Sequence, residues 1–411
     1  MIKYWYPYRK WICYNEIRGE EQMFKLTDEH LAKLGAVITT REIEQQPGIW
    51  KEVWANYQES KKKIEGYLAE IAKRHERIRV IFTGAGTSAF VGETVLTYLK
   101  GAVDETKWEL TTVPTTDVIS NPSAFFKIEI PTLLVSFARS GNSPESVATV
   151  ELGKKMVDDF YQLTITCAKE GKLAQNAIGD ERNLLLLQPP QSNDKGFAMT
   201  SSYTCMLLTT LLIFDPKPDH EKQRIVVIMS QMAENVILRV DEIGQIIDQD
   251  FERVIYLGSG SLAALTREAS LKILELTAGE VATLFDSSLG FRHGPKSFVN
   301  DQSLIFVFTS NDAYTRKYDM DILTEIYDDE IAKNIYCVTT EPNGIFSGNK
   351  FLYEEIGQEL PDGYLTLPYI VFAQIVSVLA ALKVANTPDT PSATGTVNRV
   401  VQGVTIHPFT A

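Results

Sequence analysis

Patterns for metal binding and disulfides are missing from this chain. Its four cysteines, Cys13, Cys167, Cys205 and Cys337, lie far apart with no C-x-x-C pair. Neither a zinc site nor a disulfide framework is expected, and a reducing, cytoplasmic setting fits best. The five histidines, His30, His75, His220, His293 and His407, include no pair at metal-ligand spacing, so metal catalysis is not expected and no cofactor is called for. Positive charge is also short: 40 Lys and Arg stand against 53 Asp and Glu, a net charge of −13. A nucleic-acid scaffold would show a basic face, so no nucleic-acid partner is expected, and any anionic ligand must be held by local chemistry. Long apolar runs look absent too. The longest candidate, Cys205 to Phe214, reads as a buried helix, so no membrane partner is expected.

What is present is enough apolar residue, 44% of 411, to build more than one core, and the usual limit on single-core growth points to two domains. Residues 1–60 read as an appendage and a helical extension. The first 22 are aromatic and basic without the apolar centre of a signal peptide, and Thr27 is placed to cap a helix carrying Leu31 and Leu34.

The segments RIRVIFTGAGTSAFVGE (Arg77 to Glu93) and RVIYLGSGSLAALTRE (Arg253 to Glu268) share one plan: apolar strand, Gly-x-Gly turn, helix. Gly84 and Gly258 lie 174 residues apart (258 − 84), and Gly86 and Gly260 keep that offset, so the repeat unit is domain-sized. Further apolar, β-rich runs follow at Thr132 to Phe137, Leu163 to Ala168 and Leu184 to Leu187, and again at Leu304 to Phe308 and Ile335 to Thr339. Strands alternating with helices predict right-handed βαβ units and a parallel sheet covered on both faces. The expected fold is α/β, twice over. The halves are 61–218 and 249–385, joined by a helical connector at 219–248 that opens at Asp215-Pro-Lys-Pro-Asp219, with an extended tail at 386–411.

A strand ending in Gly84-Ala-Gly86-Thr87-Ser88 and turning into a helix offers backbone N–H groups and hydroxyls at a positive helix end, where an anion is stabilised. Alone, such glycines serve a tight turn or a dinucleotide equally well, although a dinucleotide loop wants a third glycine that is out of place here. A second loop, Ala138-Arg139-Ser140-Gly141-Asn142-Ser143-Pro144-Glu145, adds a cation and more hydroxyls, with Ser143 placed as the helix cap. Two hydroxyl-rich loops at separate strand ends favour phosphate over capping alone. In the second copy Leu262 stands where Ser88 stands, and Thr309-Ser310-Asn311-Asp312 lacks a Ser-Gly, so one phosphate site per chain is expected.

These motifs, GAGTSAF, SFARSGNSPES and LKILELTAGEVATLFDSSLGFRHGP, resemble the sugar isomerase (SIS) family, which includes the isomerase half of glucosamine-6-phosphate synthase. FAMTSSY (Phe197 to Tyr203), GFRHGPKS (Gly290 to Ser297) and TVNRVVQGVTIHPF (Thr396 to Phe409) resemble its AgaS-type members, tagatose-6-phosphate ketose/aldose isomerases or galactosamine-6-phosphate deaminases. The resemblance covers most of Lys25 to Ala411. It implies two tandem SIS domains, each a flavodoxin-like αβα sandwich, and a phosphorylated hexose or hexosamine as the partner. In the two loops read as a phosphate cradle, Thr87, Ser88, Arg139, Ser140 and Ser143 hold the phosphate, and by family position Thr200 lines the sugar, although its segment also reads as a helix cap. Glu275 becomes the base that moves a proton between C1 and C2. Without the resemblance it reads as an ordinary helix carboxylate. His293, in Arg292-His-Gly-Pro295, becomes the ring-opening residue, contributed across a subunit interface, so a homodimer or higher homo-oligomer with shared active sites follows.

Two departures stand out. Gln402 occupies the place where the synthase tail carries its Schiff-base lysine, and 18 residues separate Glu275 from His293 (293 − 275), slightly more than in the synthase, with the extra residues around Phe285-Asp-Ser-Ser288. Imine catalysis through a tail lysine is therefore not expected, and the sugar site should differ in shape. No glutaminase half is present to deliver ammonia, which favours a degradative direction. Amine and hydroxyl at C2 are not separable at this level, so deamination, plain aldose–ketose isomerisation and non-catalytic sugar-phosphate sensing stay open.

Overall fold

A computed structural model describes residues 22–342, 346–401 and 403–410. The appendage falls almost entirely outside them. The chain forms two compact units: a first-sheet unit of Gly48–Asp194, Ser201–Gln223 and the tail from Val397, and a second-sheet unit of the chain up to Pro47, Lys195–Thr200 and Arg224–Thr396.

The first sheet contains β1 (Ile78–Thr83), β2 (Trp108–Thr112), β3 (Thr132–Ala138), β4 (Phe160–Thr166) and β5 (Asn183–Leu187). The second contains β6 (Arg253–Gly258), β7 (Ala282–Ser287), β8 (Ser303–Phe308), β9 (Asn334–Thr339) and β10 (Asn349–Leu352). Every pairing is parallel. The orders β2-β1-β3-β4-β5 and β10-β9-β8-β6-β7 are one topology used twice, the flavodoxin-like order with its switch point between the first and third strands of each sheet.

Sequence and burial agree on why these strands form. β3 is buried along its whole length, because helices cover both faces and a doubly covered strand reads as a continuous apolar run. On one face Ile81 and Leu134 pack with Val150 of the helix Pro144–Met156. On the other, Phe82 stacks against Phe137 and meets Phe214 of the helix Ser201–Phe214 edge-on. In the second sheet, Ile305 and Val307 pack with Ile322 and Ile326 of the helix Thr315–Asp328. Phe306 and Phe308 face Phe372 and Tyr369 of the helix Asp362–Lys383 on the opposite side.

Three strands were not foreseen, β2, β7 and β10, and all three are sheet edges. Their half-exposed sequences, such as Ala282-Thr-Leu-Phe-Asp-Ser287, lack the apolar run that doubly covered strands require. β4 begins three residues earlier than expected, since Phe160, Tyr161 and Gln162 are all buried, Gln162 Oε1 accepting from Asn183 Nδ2 at 3.3 Å. The longest apolar run also needs correction. The helix Asp362–Lys383 is 22 residues long, holds an 18-residue window with a mean hydropathy of 2.1, and passes the length and composition test for a membrane span. Its apolar window is wholly buried, so it is apolar all round because it is a core helix of its unit. Thr27 does cap the helix Asp28–Leu34, its hydroxyl accepting from His30 N at 3.3 Å.

Candidate active site

The turn after β1 is set by two glycines. A Cβ on Gly84 would lie 2.5 Å from the Ser88 carbonyl carbon. Gly86, the N-cap of the helix Thr87–Ala102, has φ 57° and ψ −132°, a conformation essentially reserved for glycine. Gly260 repeats it at φ 57° and ψ −126° before the helix Ser261–Leu276. The first turn of the Thr87–Ala102 helix carries Thr87 and Ser88, both buried.

β3, hydrogen-bonded beside β1, delivers the second loop. Arg139 is buried, and its Nη2 donates to the Arg399 carbonyl of the tail at 2.6 Å. Ser140 Oγ accepts from Asn142 N at 3.3 Å, and Gly141 makes the reversal at φ 66°. Ser143 is the N-cap of the helix Pro144–Met156 as expected, yet its side chain makes no capping hydrogen bond, so the bland reading of that hydroxyl does not hold. Thr87, Ser88, Arg139, Ser140 and Ser143 thus stand at the carboxyl ends of two adjacent strands, at the switch point where such sheets bind ligands.

Thr200 is buried just ahead of the helix Ser201–Phe214 and is counted with the second-sheet unit. The cap of that helix comes from Asp194, which the sequence reading passed over. Its fully buried carboxylate accepts from Ser201 N at 3.0 Å, Ser202 N at 2.8 Å and Ser202 Oγ at 2.5 Å. Arg399 donates to the Asp194 carbonyl, which ties the tail to the loop preceding this helix. Gln402 lies outside the described residues.

Glu275 sits near the end of the helix Ser261–Leu276, in the second-sheet unit. Lys272 Nζ lies 2.6 Å from Glu275 Oε2 and 3.2 Å from Glu268 Oε1. The spacing Glu268, Lys272, Glu275 places all three on one helical face, a signal available in the sequence but unused. Lys272 and Glu268 are wholly buried, whereas the Glu275 side chain keeps 23% of its exposure. Burial works against the Lys272 ammonium, but the Glu268 and Glu275 carboxylates outweigh it and hold its pKa above the ordinary lysine value. Of the three, only the Glu275 side chain reaches solvent, and its contact with the Lys272 ammonium orients it.

His293 lies in the same unit, at the end of a short 3-10 turn, Gly290–His293, and is exposed. Gly294 follows at φ 126°, which only glycine takes without strain. Among the described residues, no cluster of His, Cys, Asp or Glu could hold a metal ion.

No family model matches the chain. It is 40% identical over 391 residues to the D-galactosamine-6-phosphate deaminase AgaS of Shewanella sp. (strain ANA-3), covering 95% of this chain and 97% of that protein. It is 40% identical over 378 residues to the D-galactosamine-6-phosphate deaminase AgaS of Escherichia coli, at 91% and 96% coverage. The solved tagatose-6-phosphate ketose/aldose isomerase from Escherichia coli superposes with a TM-score of 0.83 at 36% identity, over 90% of this chain and 97% of that one.

Proposed function

The chain belongs to the AgaS-type family of SIS-fold sugar-phosphate deaminases and isomerases, and from that premise we propose that it deaminates D-galactosamine 6-phosphate to tagatose 6-phosphate. The observation that carries the substrate is the end-to-end likeness to galactosamine-6-phosphate deaminases, 40% identity over 95% of the chain.

In this reading 61–218 is the phosphate-binding domain and 249–385 the catalytic one. Thr87, Ser88, Arg139, Ser140 and Ser143 grip the 6-phosphate, where backbone N–H groups, hydroxyls and one guanidinium suit a dianion. Thr200 lines the sugar. His293 passes a proton between O5 and O1 to open the ring. Glu275 then lifts the C2 proton of the open-chain amino aldehyde, leaving a cis-enolamine, and returns a proton to C1. The product is a ketimine at C2. Water adds to it, the C2–N bond breaks, and ammonia leaves a ketose phosphate. Lys272 keeps the Glu275 carboxylate in one orientation throughout. The functional assembly is a homodimer in which His293 serves the partner's Glu275.

Incubation with a panel of hexosamine and neutral hexose 6-phosphates tests the reading. Equimolar ammonia and tagatose 6-phosphate from the galactosamine ester is the expected result. Ketose without ammonia from a neutral ester would make the chain an aldose–ketose isomerase, and no turnover of any ester would make it a sensor.

A further inference from the structure

We infer that the helix Thr315–Asp328 holds the His293 turn in place through two carboxylates, Asp319 and Glu325, which makes both of them positioning residues for ring opening. The inference rests on the proposed role of His293 and adds what fixes that residue.

The loop bearing His293 leaves β7 at Ser287 and is anchored on either side of the histidine. Ahead of it, Ser288 N donates to the Gly258 carbonyl at 2.7 Å, and Ser288 Oγ donates to Asp319 Oδ1 at 2.5 Å. The same Asp319 carboxylate, with none of its surface exposed, accepts from Ser259 Oγ at 2.5 Å and Ser310 N at 3.0 Å. One side chain thereby joins the loops that follow β6, β7 and β8. A second carboxylate, Asp362, accepts from Ser310 Oγ at 2.5 Å and Asn311 N at 2.8 Å.

The corresponding crevice of the first sheet is built otherwise. Asp319 is the fifth residue of its helix, and the fifth residue of Pro144–Met156 is Ala148. In the first sheet the switch point is where the proposed phosphate would sit. In the second sheet an internal carboxylate takes that place and accepts the hydroxyl and amide donors.

At the turn itself, Phe291 is buried in a cluster with Ile322, Leu323 and Ile326 of the same helix. Arg292 Nε lies 2.5 Å from Glu325 Oε2, Lys296 Nζ lies 2.6 Å from Glu325 Oε1, and Lys296 also reaches Asp329 Oδ2 at 2.5 Å. Hydrogen bonds from Lys296 and Arg292 hold the Glu325 carboxyl below its ordinary value, so it stays ionised throughout the neutral range. For Asp319, burial raises the pKa above the ordinary carboxylate value, and the Ser259 and Ser288 hydroxyls offset only part of that rise. The backbone before and after His293 is thus fixed to one helix, while the imidazole stays exposed for a proton transfer.

The test compares Glu325→Gln, Glu325→Asp, Asp319→Asn and His293→Ala in the full chain. Each is assayed with galactosamine 6-phosphate and with an acyclic analogue lacking the hydroxyls that close the ring. Glu325→Gln is expected to lower kcat on the cyclic substrate about tenfold or more, because a misplaced group loses much of its effect. KM should change less than about twofold, turnover of the acyclic analogue should stay at the wild-type rate, and Glu325→Asp should recover part of the loss. Asp319→Asn should behave alike where its melting curve shows a folded chain. Adding Glu325→Gln to His293→Ala should cost nothing further, since both act through one group. Wild-type kcat in Glu325→Gln beside an impaired His293→Ala, or additive losses in the double variant, would overturn the inference. Wild-type turnover of the cyclic substrate by His293→Ala would instead remove the ring-opening role, and the inference with it.

Discussion

At the scale of single residues, Glu275 differs from an ordinary helix carboxylate in its partner. A half-exposed glutamate normally meets water, whereas this one meets a wholly buried ammonium whose charge is already shared with Glu268. The desolvated cation is tolerated because two anions flank it, and it limits the Glu275 carboxylate to one direction. Glu275→Gln keeps the shape and the contact with Lys272 but loses the proton acceptor. It is expected to bind sugar phosphate with nearly unchanged KM while exchange of the C2 proton with deuterated water falls about 10²–10⁴-fold. Exchange at the wild-type rate, read by NMR, would remove Glu275 as the base.

At the scale of elements, the two Gly-x-Gly turns give an internal control. Gly86 and Gly260 share the same backbone conformation, which strains any alanine placed there, and no atom lies within 4 Å of a Cβ built on Gly86. Each substitution is expected to destabilise by about 1–3 kcal/mol, measured by the shift in thermal unfolding. Gly86→Ala should also raise KM for the phosphorylated substrate, since it distorts the turn that leads to Thr87 and Ser88. Gly260→Ala should leave KM alone. An equal rise in both would sink the assignment of the phosphate to the first sheet. Elements also mark where the chain was hard to read. The doubly covered strands β1, β3, β6 and β8 announce themselves as apolar runs, while the edges β2, β7 and β10 do not, because a half-solvated strand mixes Thr, Asp, Asn and Lys with its apolar residues.

At the scale of the whole molecule, the proposed shared sites predict complementation. Glu275→Gln and His293→Ala chains, each inactive alone, should regain activity when mixed and allowed to exchange subunits. If each site takes Glu275 from one chain and His293 from the other, a mixed dimer has one site with both defects and one with neither. Random exchange of equal amounts makes about half the dimers mixed, so recovery should approach about a quarter of wild-type activity. No recovery, despite exchange shown by differently tagged chains, would place both residues in one chain's site.

The amino-acid sequence by itself determined the duplicated α/β plan, the two loops at the first switch point and the placement of Glu275 on an apolar helix. Each of these is a local matter: β-rich runs, glycine turns and helical spacing are fixed by neighbours a few positions away. Tertiary structure decided what depends on partners far along the chain. It buried the apolar helix Asp362–Lys383 as a core, brought the Arg139 guanidinium onto the Arg399 carbonyl of the tail, and left the Ser143 hydroxyl without a capping hydrogen bond. It also set Asp319 among Ser259, Ser288 and Ser310, an acidic residue that reads as solvent-facing in an amphipathic helix. A buried carboxylate is affordable only where distant donors converge on it, and that convergence exists only once the strands are paired.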